Sequence, residues 1–546
     1  MLARPTGRGD DASAVADHGV RGALLVALLA ALLWGTHFTL IFRGLESSDA
    51  FSYAQIARNL ARGNGYVTQE SMPYELLLFK DVPHPELMHP PLQALAVSGL
   101  FAIFGPRDWA ATLPGAFSYL LTAALVYLAA YRWAGPRASA LGAALFLVHP
   151  GSAHYATSGL AEPLYGMLLT GAIVLIAACT RQARWPLVLV AGAALGLTDL
   201  ARETARYLLP VAAVMLWGEK PGRWARLGGL AAGYLLVTFP NYVRIAAATG
   251  SPFTNYGPSI LMSDIPPFHG LKWYRSMSTI DPLSYLSHAP HLLARKVGFN
   301  LLFLGGTLGQ MLSPILVIGA LAAGRWAPHS EARRAAVLTG AALLVQTMVS
   351  LVFLIDLRHF APFLPLLAAL SAASALALWS RHGRVGRVVI LVALAWVFWT
   401  QGRDRVLQFR PRSEDYLARR AEERAAGEFV AQRTGPDDLI ITDISEIVAW
   451  YADRRSVWFP LDESLLARFP RGARGEHYLF LTSFRIAPEP AVSPFGVHRP
   501  EPWLRYLSSP TAPPGFEPAG ELRVRELRAR LFRRGETPVA GRGTLR

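Results

Sequence analysis

GALLVALLAALLWGTHFTLIF (22–42) is followed, after Arg43, by GLESSDAFSYAQIARNLARGNGY (44–66), and this junction decides the fold. The first stretch is one uninterrupted apolar run, and about 20 such residues cross the hydrocarbon core of a bilayer. It lacks a small-residue cleavage site at its end, so it reads as a retained signal-anchor helix. The second stretch is polar and carries a carboxylate, Asp49, at the membrane edge. Ionisable groups there are costly to keep and are functional-site candidates by default.

Working outward, the same alternation of apolar runs and polar gaps covers most of the chain. Of 546 residues, 52% are hydrophobic and 17% charged, against about 25% charged in soluble domains. The predicted spans are 22–42, 110–131, 137–150, 158–179, 185–200, 204–217, 224–244, 298–323, 335–355, 359–379 and 385–401. Residues 92–105 form one further apolar segment of re-entrant length. The expected fold is therefore a polytopic α-helical membrane protein with 11 to 13 transmembrane helices. The net charge of +15 does not indicate nucleic acid. The cations fall in alternate gaps: Arg132 and Arg137; Arg181 and Arg184; Lys220, Arg223 and Arg226; Arg325, Arg333 and Arg334; Arg381, Arg384 and Arg387. The positive-inside rule makes those gaps cytoplasmic, with the N-terminus inside. The segments 44–91, 151–157, 201–203, 245–297, 356–358 and everything after 401 then face out. In 44–91, six acidic residues stand against three basic ones, which agrees with that side. Cys179, the single cysteine, lies in a span, which excludes intrachain disulfides and multi-cysteine metal sites.

Three domains follow: a transmembrane catalytic domain at 1–402, an extracytoplasmic α/β domain at 403–520, and a basic helix with a disordered tail at 521–546. In the second, a helix is predicted at 414–433, strands at LIIT (439–442), SVWF (456–459) and YLFLTS (478–483), and a helix at ISEIVAWYA (444–452). No G-x-G-x-x-G follows the first strand, which argues against a nucleotide site.

Polar residues gather at the outward ends of the spans. Asp49 opens an amphipathic stretch with Tyr53 on it. His89 precedes the 92–105 segment, and Glu162 starts a span. Asp199, Arg202 and Glu203 end another, while Arg244 and Arg358 lie at two more. A carboxylate can take the proton of an acceptor hydroxyl or amine, and guanidinium groups can hold a departing phosphate. A metal set in DVPHPELMH (Asp81, His84, Glu86, His89) is disfavoured because three prolines break any ligand spacing.

Several stretches taken in order carry a resemblance: SSDAFSYAQIARNLARGNGYV, HPPLQALAVSGLFAIFG, SGLAEPLY, LARETARYLLP, FPNYVRIAAATGSPF and LRHFAPFLPLL. Together they resemble the GT-C superfamily of polyprenyl-phosphate-sugar glycosyltransferases over roughly residues 20 to 400. The nearest branches are the family 39 protein mannosyltransferase-like enzymes and the lipid A aminoarabinose transferases. The resemblance implies Asp49 as catalytic base and Glu162 as the acidic residue of an acid–proline pair at the cavity. It also implies Arg202 and Arg358 near the donor phosphate, with Arg244 and His89 as further candidates there and Tyr53, Asp199 and Glu203 in the substrate cavity. His89 stands where the aminoarabinose branch has Lys, and Met88 where it has an acid. The implied reaction is inverting and uses no metal or other cofactor. The expected partners are a polyprenyl-phosphate sugar donor, membrane lipids, and a protein, lipid or glycan acceptor at the bacterial inner membrane. The long 245–297 segment is expected to form a mobile cover. The rival readings are a polyprenyl-linked sugar transporter and a catalytically silent relative. Loss of sugar transfer in Asp49→Asn, with expression and membrane insertion intact, separates the first reading from the silent relative, and a proteoliposome flux assay with a labelled polyprenyl-phosphate sugar separates it from the transporter.

Overall fold

A computed structural model describes residues 8–179, 185–217, 222–254, 257–266, 268, 270–278, 280–353, 355–409, 414–469, 475–486, 492–493, 496–497 and 502–535. Among the described residues, six helices are long and apolar enough to cross a membrane: His18–Ile41, Asp108–Ala134, Glu162–Cys179, Ser330–Val352, Leu357–Arg381 and Arg384–Gln408. The pair Pro290–Gly309 and Pro314–Trp326, bent by 95°, makes a seventh when counted as one span. Among the described residues, six or seven of the expected 11 to 13 crossings thus stand out by length and composition alone. Part of the difference lies in Pro136–Val148 and Trp185–Ala201, which are apolar but shorter. Pro91–Phe104, the segment of re-entrant length, is a 14-residue helix. At 1.5 Å per residue it falls short of the ~30 Å hydrocarbon core.

The bundle is ordered by burial. Leu357–Arg381 has 83% of its apolar window buried and forms the centre, whereas Arg384–Gln408 has 11% and stands at the rim. That rim helix turns Val385, Val388, Val392, Trp396 and Trp399 outward, as expected where lipid takes the place of protein neighbours.

Outside the bundle, a six-stranded sheet runs in the order Glu70–Ser71, Arg455–Trp458, Leu439–Thr442, His477–Thr482, Leu527–Arg534, Phe516–Val524. The first four strands are parallel and the last two antiparallel. Leu439–Thr442 is buried along its whole length, the usual state of a parallel strand covered on both faces. Its alternate residues serve two cores. Ile440 packs with Phe429 and Val430 of helix Glu414–Arg433, while Leu439 and Ile441 pack with Phe459 and Trp503. The strands expected at 439–442, 456–459 and 478–483 are present to within a residue or two. The basic helix expected from 521 is instead a hairpin of Phe516–Val524 and Leu527–Arg534. Ala529–Phe532 of the second strand are buried together, while the first strand is mostly exposed. The tail expected after 535 lies outside the described residues.

The edge strand Glu70–Ser71 comes from the 44–91 segment, not from the C-terminal region: Glu70 pairs with Ser456 and Ser71 with Val457. The helix before it, Ser48–Ala61, shares the sheet's core through Phe51, Ala54 and Ala57. On the same helix Arg58 is buried and donates to the carbonyls of Ala449 (2.6 Å) and Trp450 (2.7 Å). It also pairs with Asp453 at 2.9 Å. Within 245–297, the segment expected to form a mobile cover, Trp273 and Tyr274 are buried in an apolar cluster with Met262, Ile265 and Leu286. Arg275 fixes it by donating to the carbonyls of Phe459 and Pro460. The two outer segments and the C-terminal sheet therefore form one packed body.

Candidate active site

Asp49 sits in the first turn of Ser48–Ala61, where the helix dipole favours a negative charge. Glu162 is the first residue of Glu162–Cys179. Arg358 lies in a 3₁₀ helix, Leu357–Phe363, whose cap Asp356 accepts from the Arg358 backbone N–H at 3.0 Å. Two glycines allow these segments to close on one another. At Gly159 the backbone is left-handed (φ +80°), and a Cβ there would lie 2.9 Å from Leu45 Cδ2 and 3.3 Å from Ala50 Cβ. At Gly166 a Cβ would lie 3.2 Å from Pro362 Cα. The first approach brings the chain leading to Glu162 against the Asp49 helix. The second brings the Glu162 helix against the Arg358 segment.

The result is an ion cluster drawn from four separate elements. Arg358 Nη2 donates to Asp49 Oδ2 at 2.6 Å, and Nη1 donates to Ser47 Oγ at 3.4 Å. Arg358 Nε lies 2.6 Å from Asp356 Oδ2 and 3.6 Å from Glu162 Oε1. Arg202 Nη1 donates to Glu162 Oε1 at 3.2 Å. Glu162 is 4% exposed, Arg358 and Arg202 each 20%, and Asp49 36%. The cluster is therefore closed behind Glu162 and open at Asp49. Burial pushes the Asp49 carboxyl up, but the Arg358 guanidinium outweighs it, helped by His89, and holds it below the usual carboxylate range.

His89 flanks the cluster, with its ring edge-on to Tyr53 at 5.0 Å between centroids. Burial disfavours the charged ring. Glu86, 3.4 Å from Nδ1, prevails with support from Asp49 and Glu70, lifting His89 to about 9. His89 is thus an imidazolium at neutral pH. Tyr53, buried and beside Asp49 and Glu162, has its phenol pushed up and stays protonated. Next to Glu162, a pocket enclosing about 350 Å³, partly open to solvent, runs between membrane helices. Tyr119, Phe146, Tyr155, Pro163 and Pro362 wall it.

Four of the residues singled out in the sequence, Asp49, Glu162, Arg202 and Arg358, meet directly, with His89 and Tyr53 adjoining them. The others sit elsewhere. Arg244 donates to the carbonyl of Glu86 at 2.6 Å and to Asn241 Oδ1, and it covers the Tyr66 ring at 4.6 Å. It ties helix Arg223–Thr249 to the first outer segment. Asp199 accepts from Tyr234 (3.0 Å) and Arg206 (3.2 Å), and Glu203 lies 3.5 Å from the same Arg206. The sequence reading passed over Asp356 and Glu86. Asp356 was detectable as an Asx cap two residues before Arg358. Glu86 entered only as a metal-ligand candidate, whereas its partner is His89.

Comparisons with known proteins bear on this geometry. Residues 88–243 match the family described as dolichyl-phosphate-mannose-protein mannosyltransferase. No curated protein sequence matches the chain. Among solved structures it is similar to ArnT from Cupriavidus metallidurans bound to undecaprenyl phosphate. There the identity is 16% and the TM-score 0.57, over 94% of this chain and 98% of that one. The apo state of the same protein gives 14% and 0.55 over the same shares. Arabinofuranosyltransferase AftD from Mycobacteria gives 16% and 0.51, over 95% of this chain but 40% of that one. At such identities the likeness is one of fold.

Proposed function

Because the chain has the fold of the GT-C glycosyltransferases, we propose that it is an inverting glycosyltransferase. In this reading it moves a sugar from a polyprenyl-phosphate carrier to an acceptor at the outer side of the bacterial inner membrane. The observation that carries the reading is the Asp49–Arg358 pair at 2.6 Å, open on the Asp49 side and backed by Glu162 and Arg202. The similarity to a structure holding undecaprenyl phosphate supports the donor class.

The pair joins the two groups that such a displacement uses. Asp49 takes the proton from the acceptor hydroxyl or amine while its heteroatom bonds to the anomeric carbon. The bond from that carbon to the phosphate oxygen breaks, and polyprenyl phosphate leaves with the electron pair. Its new charge is met by the Arg358 fork and by Arg202, both planar bidentate donors suited to phosphate. Arriving donor phosphate competes with Asp49 for Arg358. As the cation turns to the phosphate, Asp49 loses what holds its carboxyl low and becomes the stronger base. Glu162 keeps both guanidiniums oriented toward the opening, and charged His89 adds a third cation beside Asp49.

Transfer of radiolabelled sugar from a synthetic polyprenyl-phosphate donor, followed with membranes of cells carrying the gene, tests the reading. Positioned general-base catalysis contributes about 10²–10⁴-fold, so Asp49→Asn should leave a small residue of transfer with normal membrane insertion. Undiminished transfer in that variant removes the proposed base.

A further inference from the structure

The rim helix Arg384–Gln408 presents one inward stripe, Val397, Gln401 and Arg405, at helical spacing. Arg405 is 6% exposed, and its Nε, Nη1 and Nη2 all lack a hydrogen-bond partner among the described residues. The Phe409 ring lies 5.3 Å from its guanidinium, and Tyr119 and His149 are within electrostatic reach of it. The acid next to it in sequence, Asp404, is engaged by Arg403 on the exposed side. A guanidinium cannot shed its proton in a protein, and a buried charge is ordinarily paired. Such a cation without an acid calls for an anion from elsewhere.

Two more polar residues share that helix face by spacing, Gln401 four residues before Arg405 and Gln408 three after it. The side-chain amides of Gln401 and Gln408 have buried oxygens without partners, and an amide turned about its last bond offers N–H groups instead. Tyr119, within electrostatic reach of Arg405, has a buried hydroxyl beside Ser152. Tyr119 also walls the pocket beside Glu162, whereas Arg405, Gln401 and Gln408 do not line it.

We infer that Arg405, with Gln401, Gln408 and Tyr119, forms a second anion site that takes a phosphate group at the bundle's rim. A planar fork flanked by neutral donors suits phosphate oxygens, and the helix that carries it is otherwise clad in outward-facing Val, Leu and Trp. A membrane phospholipid beside this helix supplies such a group; free phosphate is the alternative source. The site does not depend on the proposed transfer reaction.

Native mass spectrometry of the delipidated full-length protein tests it. The probes are phosphatidic acid, diacylglycerol of the same chains, and inorganic phosphate, each with wild type, Arg405→Met and Gln401→Leu. Phosphatidic acid should bind wild type and bind Arg405→Met at least tenfold more weakly, with an intermediate loss for Gln401→Leu and no comparable binding of diacylglycerol. Saturation by inorganic phosphate alone supports the site and assigns its source to the aqueous phase. Equal phosphatidic acid binding by wild type and Arg405→Met, or equal binding of diacylglycerol, overturns it. Should Arg405→Met not fold, Arg405→Lys decides. It keeps the charge but loses the fork, and must weaken binding severalfold for the inference to stand.

Discussion

Two groups of arginines and carboxylates in this molecule use the same residue types and differ in how the chain assembles them. Around Asp199, the acids and Arg206 lie within eight residues of one another, at the end of one helix and the turn after it. Arg206 serves its own neighbours, and Tyr234 completes the set. Around Asp49, one arginine reaches acids on three separate elements, at positions 49, 162 and 356. A local group of the first kind forms from chain neighbours across one helix end and the turn after it. A group of the second kind needs helices to meet, and it persists only because Gly159 and Gly166 permit the approach. Distance along the chain, more than charge, separates a site from a cap.

The comparison breaks if the two groups respond alike to mutation. Arg358→Ala should lower sugar transfer by about 10²–10³-fold, the range for losing a preorganised charge stabiliser. Arg206→Ala should leave transfer within about threefold, both read by the labelled-donor assay. Glu162→Gln should cost about tenfold or more in transfer, since both guanidiniums lose their common anchor. Asp199→Asn should cost about 1 kcal/mol of stability in a denaturant titration, with transfer nearly unchanged.

A subtler test alters the approach and leaves the charges intact. Gly159→Val puts a branched side chain on left-handed backbone against Leu45 and Ala50, at about 1–3 kcal/mol of strain. Transfer should fall more than stability does, because the displaced helix carries Asp49. The smallest effect is that of pH. Folding stabilises the charged form of His89, whose contribution is whole below about 6.5, the ordinary imidazole value. It declines as pH rises and is lost above about 9. The unfolding midpoint of wild type should therefore drop relative to His89→Phe between those values. Parallel curves would show that the ring carries no extra proton.

Much of this was legible beforehand, for reasons that particular residues make plain. Asp49, Glu162, Arg202 and Arg358 could be grouped because each follows or precedes an apolar run, and alternating loop charge sorts such ends by side. The strands at 439–442 and 477–482 were readable because parallel strands buried on both faces are continuous apolar runs. The terminal hairpin was not. RVRELRARL fits a period of two as well as a helical stripe, and its turn has Arg525 at φ 51° with no glycine to mark it. Glu70–Ser71 is two residues long, too short for any periodic signal, so its place at the sheet edge arises only from tertiary packing. Local sequence likewise does not distinguish Arg244 from Arg358, since both end apolar runs.

That short edge strand has a practical consequence for anyone recombining such proteins. The helix bearing Asp49 hangs from the sheet by its neighbouring strand and by Arg58. A chimera that exchanges the C-terminal portion alone would leave residues 44–91 facing a foreign surface. The smallest exchangeable cassette is discontinuous, comprising residues 44–91 and the distant sheet together, and the two should be inherited as a unit.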